Sequence, residues 1–379
     1  MKVAIVYDRM NKVGGAERIL VNLHAIFPDA PFYTSVFDPS GAAWSAGFRV
    51  IPSFLQKISF ARKNHEFFPW VTPLAFENFS FNSFDVVISV TSAEAKSVIT
   101  KPETLHICYC LTPTRYLWSG VKEYATHSSS GGLARIASWF LRVFLRSLRM
   151  WDKRASFRPD AWIAISALVK KRIESYYSKH VFSIVYPPVD DMFFQSPLPM
   201  AKGEYFLIVS RLVSYKRIDI VIKACNVLRK KLIVVGDGRE KRYLKKLAGR
   251  TVQFIDRYLT DVELLSYYRA CSAFLFAGVE DFGLVAAEAQ AVGKPVIAYS
   301  KSGISEIIDD RKTGILFHEQ SVQSLVDAMR QFDTMNFSSK DCRAQVLAFR
   351  SMIFKKKFLS TVKDVYNTYM KNIREGNTL

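Results

Sequence analysis

The sequence of 379 residues has little cysteine, and its five cysteines include no Cys-x-x-Cys pair. This spacing argues against a zinc or redox motif, so buried reduced thiols are expected. Long apolar runs are also lacking: the longest, such as Ala273–Val279, have the length of a strand and not the 18 or more residues of a membrane span. The N-terminal MKVAIVYDRM has no apolar signal-peptide core. These absences predict a cytoplasmic protein with no membrane-spanning segment.

Acidic residues are scarce relative to basic ones, with 34 Asp and Glu against 53 Lys and Arg, a net charge of +19. Hydrophobic residues make up 49% and charged residues 23%, a globular composition that excludes a mainly disordered, collagenous or coiled-coil chain. The excess positive charge favours an anionic partner: nucleic acid, acidic lipid or a phosphorylated substrate. Because no helix-turn-helix, RNA-recognition or zinc signature accompanies the charge, nucleic acid is the least favoured partner.

Short apolar segments alternate with helical patterns in two series, separated near Tyr186-Pro187-Pro188. Ten segments are predicted to be strands: Lys2–Tyr7, Asp85–Val90, Thr104–Cys110, Ala161–Ile165, Tyr205–Val209, Leu232–Val235, Val252–Ile255, Ala273–Phe276, Pro295–Ala298 and Gly314–Phe317. Strands that alternate with helices of ten or more residues indicate parallel sheets. The predicted fold class is therefore α/β, with Rossmann-like domains at 1–190 and 191–350 facing across a cleft. The basic helical segment 351–379 is expected to pack back on the first domain.

The segment from Glu280 to Glu288, EDFGLVAAE, follows a predicted strand and opens a helix near Gly283. A helix N-terminus offers unpaired N–H groups and the positive end of the helix dipole, which together favour an anion. Carboxylates on either side of an anion site can accept hydrogen bonds from sugar hydroxyls. The alternative is that Glu280 and Asp281 only stabilise the helix dipole.

Two further loops follow strands of the same predicted sheet. SRLVSYKR carries Arg211 and Lys216, a guanidinium fork and a point charge suited to a diphosphate, and Gly236-Asp237-Gly238 follows the next strand. The carboxyl ends of parallel strands meet at one edge, where ligands of α/β sheets bind. The sequence therefore predicts an anionic-ligand site made by three loops.

With GGAER near the N-terminus, these motifs make almost the whole chain resemble the GT-B fold, retaining glycosyltransferases of family 4. EAQAVGKPVIAYSKSGISEII resembles their GDP-mannose-dependent branch in polysaccharide assembly. The resemblance implies catalytic roles for Glu280, Arg211 and Lys216, with Glu288 on the ribose and no metal or other cofactor. The donor-binding residues that it implies are Gly14, Gly15, Arg211, Lys216, Gly236, Asp237, Gly238, Glu280, Asp281, Phe282, Gly283, Leu284, Val285 and Glu288.

One position departs from the family pattern. Relatives often carry a histidine where the segment CLTPTRY has Leu111. Retention does not require this histidine as a base, because the leaving phosphate can take the proton of the acceptor. His106, five residues earlier, is interpreted as a core residue.

Two basic segments are candidates for contact with a lipid surface or a lipid-linked acceptor. Within Gly132–Arg158, helical spacing places five cations on one stripe: Arg135, Arg142, Arg146, Arg149 and Lys153. In Lys57–Trp70, Lys57, Arg62 and Lys63 adjoin four aromatic residues. A helix packed on its own domain with a solvated charged edge is the alternative for the first segment.

The leading hypothesis is a peripheral enzyme on the inner face of the cytoplasmic membrane. It transfers a hexose, with mannose from GDP-mannose favoured, to a saccharide acceptor that is expected to be lipid-linked by analogy with family relatives. One alternative is a GT-B transferase that uses a UDP-sugar and a soluble acceptor. The other is a nucleotide-binding protein of this fold without turnover, which the departure at Leu111 favours.

Overall fold

A computed structural model of the chain describes residues 1–12, 14–58, 71–120, 132–198 and 203–375, with the backbone alone for 132–142. The chain divides into two compact units. Unit 1 consists of Met1–Tyr186 and Lys355–Leu379, and unit 2 consists of Pro187–Phe354.

Unit 1 contains a seven-stranded parallel sheet in the order β3-β2-β1-β4-β5-β6-β7. Its strands are β1 (Val3–Tyr7), β2 (Phe32–Thr34), β3 (Val50–Pro52), β4 (Val86–Thr91), β5 (Leu105–Cys110), β6 (Ala161–Ala164) and β7 (Ser183–Ile184). All residues of β1, β4 and β5 are buried, which explains why these strands read as continuous apolar runs in the sequence. The sequence pattern missed β2, β3 and β7, which are only two or three residues long and lie towards the sheet edges.

The described helices of the first segment of unit 1 are α1 (Gly15–Ile26), α2 (Val71–Glu77), α3 (Gly132–Ala155) and α4 (Ala167–Tyr177). In α1 the buried residues Ile19, Leu20 and Leu23 recur at helical spacing, so one face of the helix packs on the core. The side chain of Ser166 caps α4 by accepting a hydrogen bond from the Val169 N–H.

Unit 2 contains a six-stranded parallel sheet in the order β10-β9-β8-β11-β12-β13. Its strands are β8 (Tyr205–Val209), β9 (Leu232–Val235), β10 (Val252–Ile255), β11 (Cys271–Phe276), β12 (Val296–Tyr299) and β13 (Gly314–Phe317). Its helices are α5 (Asp191–Gln195), α6 (Ile218–Leu228), α7 (Lys241–Leu247), α8 (Asp261–Ala270), α9 (Leu284–Ala291), α10 (Val322–Asp333) and α11 (Ser339–Gln345). The last helix, α12 (Ser351–Arg374), continues into unit 1.

The strand order reverses direction once in each sheet. In unit 2 the chain runs outward from β8 to β10 and returns with β11 on the other side of β8. Such a reversal leaves a crevice at the carboxyl ends of the two central strands, because the connections there leave in opposite directions. The loops after β8 and β11 therefore border the predicted ligand crevice of this unit.

The C-terminal helix α12 packs on unit 1 through its buried face. The ring of Phe358 lies edge-on to that of Tyr109, with centroids 5.2 Å apart, and the Tyr369 hydroxyl donates to the Pro102 carbonyl. All five cysteines are buried free thiols, as the sequence predicts.

The two parallel sheets confirm the predicted α/β architecture of two parallel-sheet domains.

Candidate active site

The loop after β8 presents the two cations that the sequence singles out. Arg211 is exposed, and its Nη2 donates to the Tyr215 hydroxyl at 2.9 Å. Lys216 ends a short 3₁₀ turn, Ser214–Lys216, and is only 6% exposed. Its ammonium lies 5.0 Å from the centroid of the Tyr215 ring and 5.6 Å from that of Phe276, so two aromatic rings contact the charge.

The loop after β11 brings Glu280 to this lysine. The Lys216 Nζ donates to Glu280 Oε1 in an ion pair whose side chains are 7% and 18% exposed. The backbone of Glu280 is held from the other side: its N–H donates to Ser302 Oγ at 2.9 Å, and its carbonyl accepts from the Gly303 N–H at 2.8 Å. The pair joins residues 64 positions apart, and it places one ammonium and one carboxylate at the carboxyl edge of the sheet.

Gly283 is the N-cap of α9 and has a conformation that favours glycine. Its φ is +98°, and a Cβ there would come within 2.3 Å of the Ile304 side chain. The following residues Leu284 and Val285 belong to the first turn of α9, whose N–H groups have no partner within the helix. The Phe282 side chain is buried and lies edge-on to Phe349, with centroids 5.1 Å apart. Only the backbone of Phe282 remains a candidate for ligand contact.

Glu288 lies on α9 and is 3% exposed, so its carboxylate is one of the most buried acidic groups of unit 2. The Tyr268 hydroxyl on α8 donates to Glu288 Oε2 at 3.0 Å. Sequence reasoning missed this partner, and no local signal marks it. Ser302, which holds the Glu280 backbone, was also missed, although it lies within the segment SKSGISEII that carries the resemblance.

The glycines of the third loop allow it to pack on the loop after β8. Gly236 has a φ of +138°, and a Cβ there would lie 2.0 Å from the Ser210 carbonyl oxygen. Between the glycines, Asp237 projects outward, and its Oδ1 accepts from the Gly238 N–H at 2.8 Å. The Gly238 N–H and the Lys241 ammonium hold the pKa of the Asp237 carboxyl below its ordinary value. The Asp237 side chain is exposed and takes no part in the packing between the two loops.

In unit 1, Gly14 and Gly15 start α1 and are exposed, and the Tyr7 hydroxyl donates to Glu17 Oε1 at 3.3 Å in the same region. Glu94 is 1% exposed and accepts from Arg9 at 3.0 Å and from the Tyr116 hydroxyl at 2.6 Å. These groups follow β1, β4 and β5, so they mark the carboxyl edge of the first sheet.

Leu111 directly follows β5 and is 8% exposed. His106 is fully buried within β5, where its Nε2 lies 2.8 Å from Ser89 Oγ. Burial lowers the pKa of His106 to about 3, so its imidazole is neutral at physiological pH. This position agrees with the interpretation of His106 as a core residue.

The basic segments of unit 1 are described in part. Lys57 is exposed, while Arg62, Lys63 and the side chain of Arg142 lie outside the described residues. Arg146 is exposed on α3, as are its neighbours Val143 and Met150 at 54% and 58%.

Arg149 differs from the expectation of an outward-facing stripe. Its Nε donates to the Leu117 carbonyl at 2.6 Å, and its guanidinium lies over the Trp118 ring, 5.3 Å from the centroid. The segment is helical, as the sequence predicts. The Arg149 cation, however, is bound by the Leu117 carbonyl and the Trp118 ring of its own unit.

Residues 190–345 match the family profile described as Glycosyl transferases group 1. An uncharacterized glycosyltransferase of Haemophilus influenzae is 30% identical over 168 residues, which are 41% of this chain and 46% of that protein. A GDP-mannose-dependent alpha-(1-6)-phosphatidylinositol monomannoside mannosyltransferase of Mycobacterium tuberculosis is 29% identical over 208 residues, 47% of this chain and 54% of that protein. The chain thus spans about half the length of these curated relatives.

Likeness of structure extends over almost the entire chain. The Anabaena HepE protein in complex with UDP and glucose superposes with a TM-score of 0.67 at 17% identity, covering 96% of this chain and 99% of that one. The fold is GT-B. The matched segment of this GT-B chain contains all three candidate loops, from Arg211 to Glu288.

Among the residues that the structure describes, no group of three or more His, Cys, Asp or Glu side chains is placed to hold a metal ion. Within the same residues, no helix is long and apolar enough to cross a bilayer.

Proposed function

We propose that this chain is a retaining hexosyltransferase that uses a nucleotide sugar, with GDP-mannose as the donor and a lipid-linked saccharide as the acceptor. The observation that carries the proposal is the meeting of Lys216 and Glu280 at the strand-order reversal of unit 2, with Glu288 on the helix that follows. A cation for a diphosphate, a carboxylate for sugar hydroxyls and a second carboxylate for a ribose are the three groups that a nucleotide sugar requires. The match to group 1 glycosyl transferases over the same residues supports this assignment.

The residues of unit 2 act in this proposal by binding, orientation and charge. Arg211 and Lys216 bind the diphosphate, and their positive charges stabilise the negative charge that develops when the bond between the sugar C1 and the phosphate oxygen breaks. The acceptor oxygen forms its bond to C1 on the same face, and its proton moves to the leaving phosphate oxygen. Glu280 orients the transferred sugar by accepting hydrogen bonds from its hydroxyls, and Glu288 does the same for the ribose.

The choice of mannose and guanosine rests on the relative whose name specifies GDP-mannose, together with the segment EAQAVGKPVIAYSKSGISEII. A UDP-hexose with a soluble acceptor is the second candidate, because the Anabaena structure of the same fold holds UDP and glucose. Positive charge is needed at the diphosphate with either base, and two side chains of unit 2 supply it. We therefore expect binding that does not depend on a divalent metal.

The charge distribution supports an anionic acceptor or membrane surface at unit 1. Unit 1 holds 29 Lys and Arg against 15 Asp and Glu, whereas unit 2 holds 24 against 19, so +14 of the net +19 belongs to unit 1. On α3, exposed Val143 and Met150 lie among the exposed cations Arg146, Lys153 and Arg154. Apolar side chains flanked by cations are suited to the headgroup region of an anionic bilayer. We infer a peripheral position on the inner face of the cytoplasmic membrane.

Thermal unfolding with nucleotides tests the donor assignment. GDP at 100 times its dissociation constant should add about 2.7 kcal/mol to the free energy of unfolding, with or without EDTA. Lys216→Ala should remove most of this protection, whereas Lys223→Ala, a cation on α6 of the same unit, should not. Abolition of binding by EDTA, with binding retained in Lys216→Ala, would contradict the diphosphate assignment.

A transfer assay distinguishes the enzyme from a nucleotide-binding protein without turnover. The enzyme forms product from GDP-mannose and a lipid-linked acceptor with Leu111 in place. Leu111→His is then neutral or harmful, because a polar ring enters a position that is 8% exposed. Tight nucleotide binding without transfer to any of a broad acceptor panel would instead favour the protein without turnover.

A further inference from the structure

The buried carboxylate of Glu288 is held by a tyrosine from a different helix. The hydroxyl of Tyr268, 20 residues earlier in the chain, donates to Glu288 Oε2 at 3.0 Å. Tyr268 is fully buried, and Glu288 is 3% exposed. A hydrogen bond from a neutral donor to a carboxylate in such a position is a strong one, because little water competes for either partner.

Aromatic packing holds the Tyr268 ring in place. The ring lies edge-on to Phe193, with centroids 5.9 Å apart and planes at 82°, and its centroid is 6.1 Å from that of Phe274. Phe193 is on α5 and Phe274 is on β11, so two separate elements of unit 2 hold the ring. The hydroxyl therefore has a fixed position from which it donates.

A carboxylate that recognises two vicinal hydroxyls must be rotated so that its lone pairs point towards both of them. The side chain of Glu288 has rotatable bonds, and the bond from the Tyr268 hydroxyl to Oε2 favours one rotation of the carboxylate. Loss of this bond weakens the hold on the carboxylate, so part of the binding energy is then spent on orienting it.

We propose that Tyr268 is a positioning residue for ribose recognition: it orients the Glu288 carboxylate towards the 2′- and 3′-hydroxyls of the donor. This inference rests on the proposed function, which assigns the ribose to Glu288. It adds a residue that lies outside the segment Glu280–Glu288 and that touches no substrate itself. In the alternative role, Tyr268 only supplies a hydrogen bond to a buried carboxylate. The two roles predict different changes in ligand affinity when the hydroxyl is removed.

Calorimetry with GDP and 2′,3′-dideoxy-GDP separates these roles. The wild type should bind GDP more tightly than the dideoxy analogue. In Tyr268→Phe, the dissociation constant of GDP should rise about five- to tenfold, within the range of one ordinary hydrogen bond, while that of the dideoxy analogue changes by less than about twofold. Tyr267→Phe removes the same hydroxyl from the neighbouring residue of α8 and should leave both constants unchanged.

A second background tests whether the effect passes through the carboxylate. In Glu288→Gln, the further change Tyr268→Phe should alter the preference for ribose by less than about twofold, because no carboxylate remains to be oriented. Equal weakening of GDP and its dideoxy analogue by Tyr268→Phe would show a purely structural role. Unchanged affinity for both ligands would also overturn the inference.

Failure of the proposed function is recognised separately in the same experiment. If the wild type binds neither GDP nor UDP, the assignment of the nucleotide site is wrong before any variant is compared, and the inference falls with it. If UDP is the nucleotide that binds, the same comparison is made with UDP and 2′,3′-dideoxy-UDP.

Discussion

Replacing Glu280 by Gln keeps the size of the side chain but removes the carboxylate that pairs with Lys216. In the proposed function, Lys216 serves the diphosphate and Glu280 serves the sugar, so the ligand-free protein pairs two groups that the donor later uses separately. A nucleoside diphosphate without a sugar can bind Lys216, but it has no sugar hydroxyls that could donate hydrogen bonds to Glu280. We therefore expect Glu280→Gln to bind GDP more tightly than the wild type while it transfers sugar more slowly.

The size of the effect follows from the charges and their burial. Lys216 and Glu280 are 7% and 18% exposed as side chains, so an effective dielectric constant of about 20 or somewhat higher applies. For an assumed separation of about 8 Å between the carboxylate and a bound phosphate, the repulsion is then about 1–2 kcal/mol, or about 5- to 30-fold in affinity. The loss of hydrogen bonds from sugar hydroxyls to a charged acceptor should lower kcat/KM by at least about tenfold.

The assay is titration calorimetry with GDP, combined with initial rates of transfer from GDP-mannose. Glu319→Gln removes an exposed carboxylate of the same unit and serves as the control for net charge. Since Lys216→Ala removes the cation itself, it should weaken GDP binding. If Glu280→Gln weakens GDP binding as much as Lys216→Ala does, the carboxylate supports the diphosphate site instead of opposing it, and the reasoning is wrong.

Three further predictions concern unit 1. Changing Arg146, Lys153 and Arg154 together to Glu should release the protein from vesicles rich in phosphatidylglycerol, at about 1 kcal/mol for each cation lost. Asp152→Asn should lower the free energy of unfolding in urea by about 3–5 kcal/mol, because the fully buried carboxylate accepts from Lys96, Thr114, Trp118 and Tyr177 and the variant leaves the lysine unpaired. The folded pKa of His106, about 3, lies below its unfolded value of about 6.5, so the unfolded chain takes up a proton first as pH falls. The His106 contribution to stability is therefore complete above pH 6.5 and falls by about 2 kcal/mol on going to pH 5, a loss absent from His106→Gln.

Each of these predictions has a matched control. Arg239, Arg242 and Lys246 are exposed cations of unit 2, and their change to Glu should leave vesicle binding intact. Asp364→Asn on the exposed side of α12 and His180→Gln at an exposed position should each change stability by less than about 0.5 kcal/mol. Equal vesicle binding by both triple variants would refute the membrane assignment of α3. A pH dependence of unfolding that is unchanged in His106→Gln would refute the account of its buried imidazole.

The sequence predicted the architecture well where strands have four or more residues. In β1, β4 to β6 and β8 to β13, apolar runs of four to six residues stand between helical patterns, and their predicted bounds differ from the observed ones by at most two residues. The strands β2, β3 and β7 have two or three residues each, too few to show a period. They are strands because a neighbouring strand in the sheet offers hydrogen bonds, and that neighbour is remote in sequence.

The candidate site divides in the same way. The sequence reveals four residues of the site: Arg211, Lys216, Glu280 and Glu288. Each lies in a loop or in the first helical turns after a strand, where folding rarely requires a charged side chain. Tyr268 and Ser302 are not visible, since an internal tyrosine of a helix and a serine in a turn are ordinary residues there. Their importance comes from the partners that the fold brings to them.

By itself the sequence determined the alternation of strands and helices, the placement of charged and glycine-rich loops after strands, and the excess of positive charge. Local residue types set these features, because burial on both faces demands apolar strands and tight loops demand glycine. Only the tertiary structure decided that β11 lies beside β8, which pairs Lys216 with Glu280, that Tyr268 reaches Glu288, and that Arg149 turns to its own unit. These contacts depend on which distant strands and helices pack together, and that choice is made by the sum of the core packing, for which no single segment carries a signature.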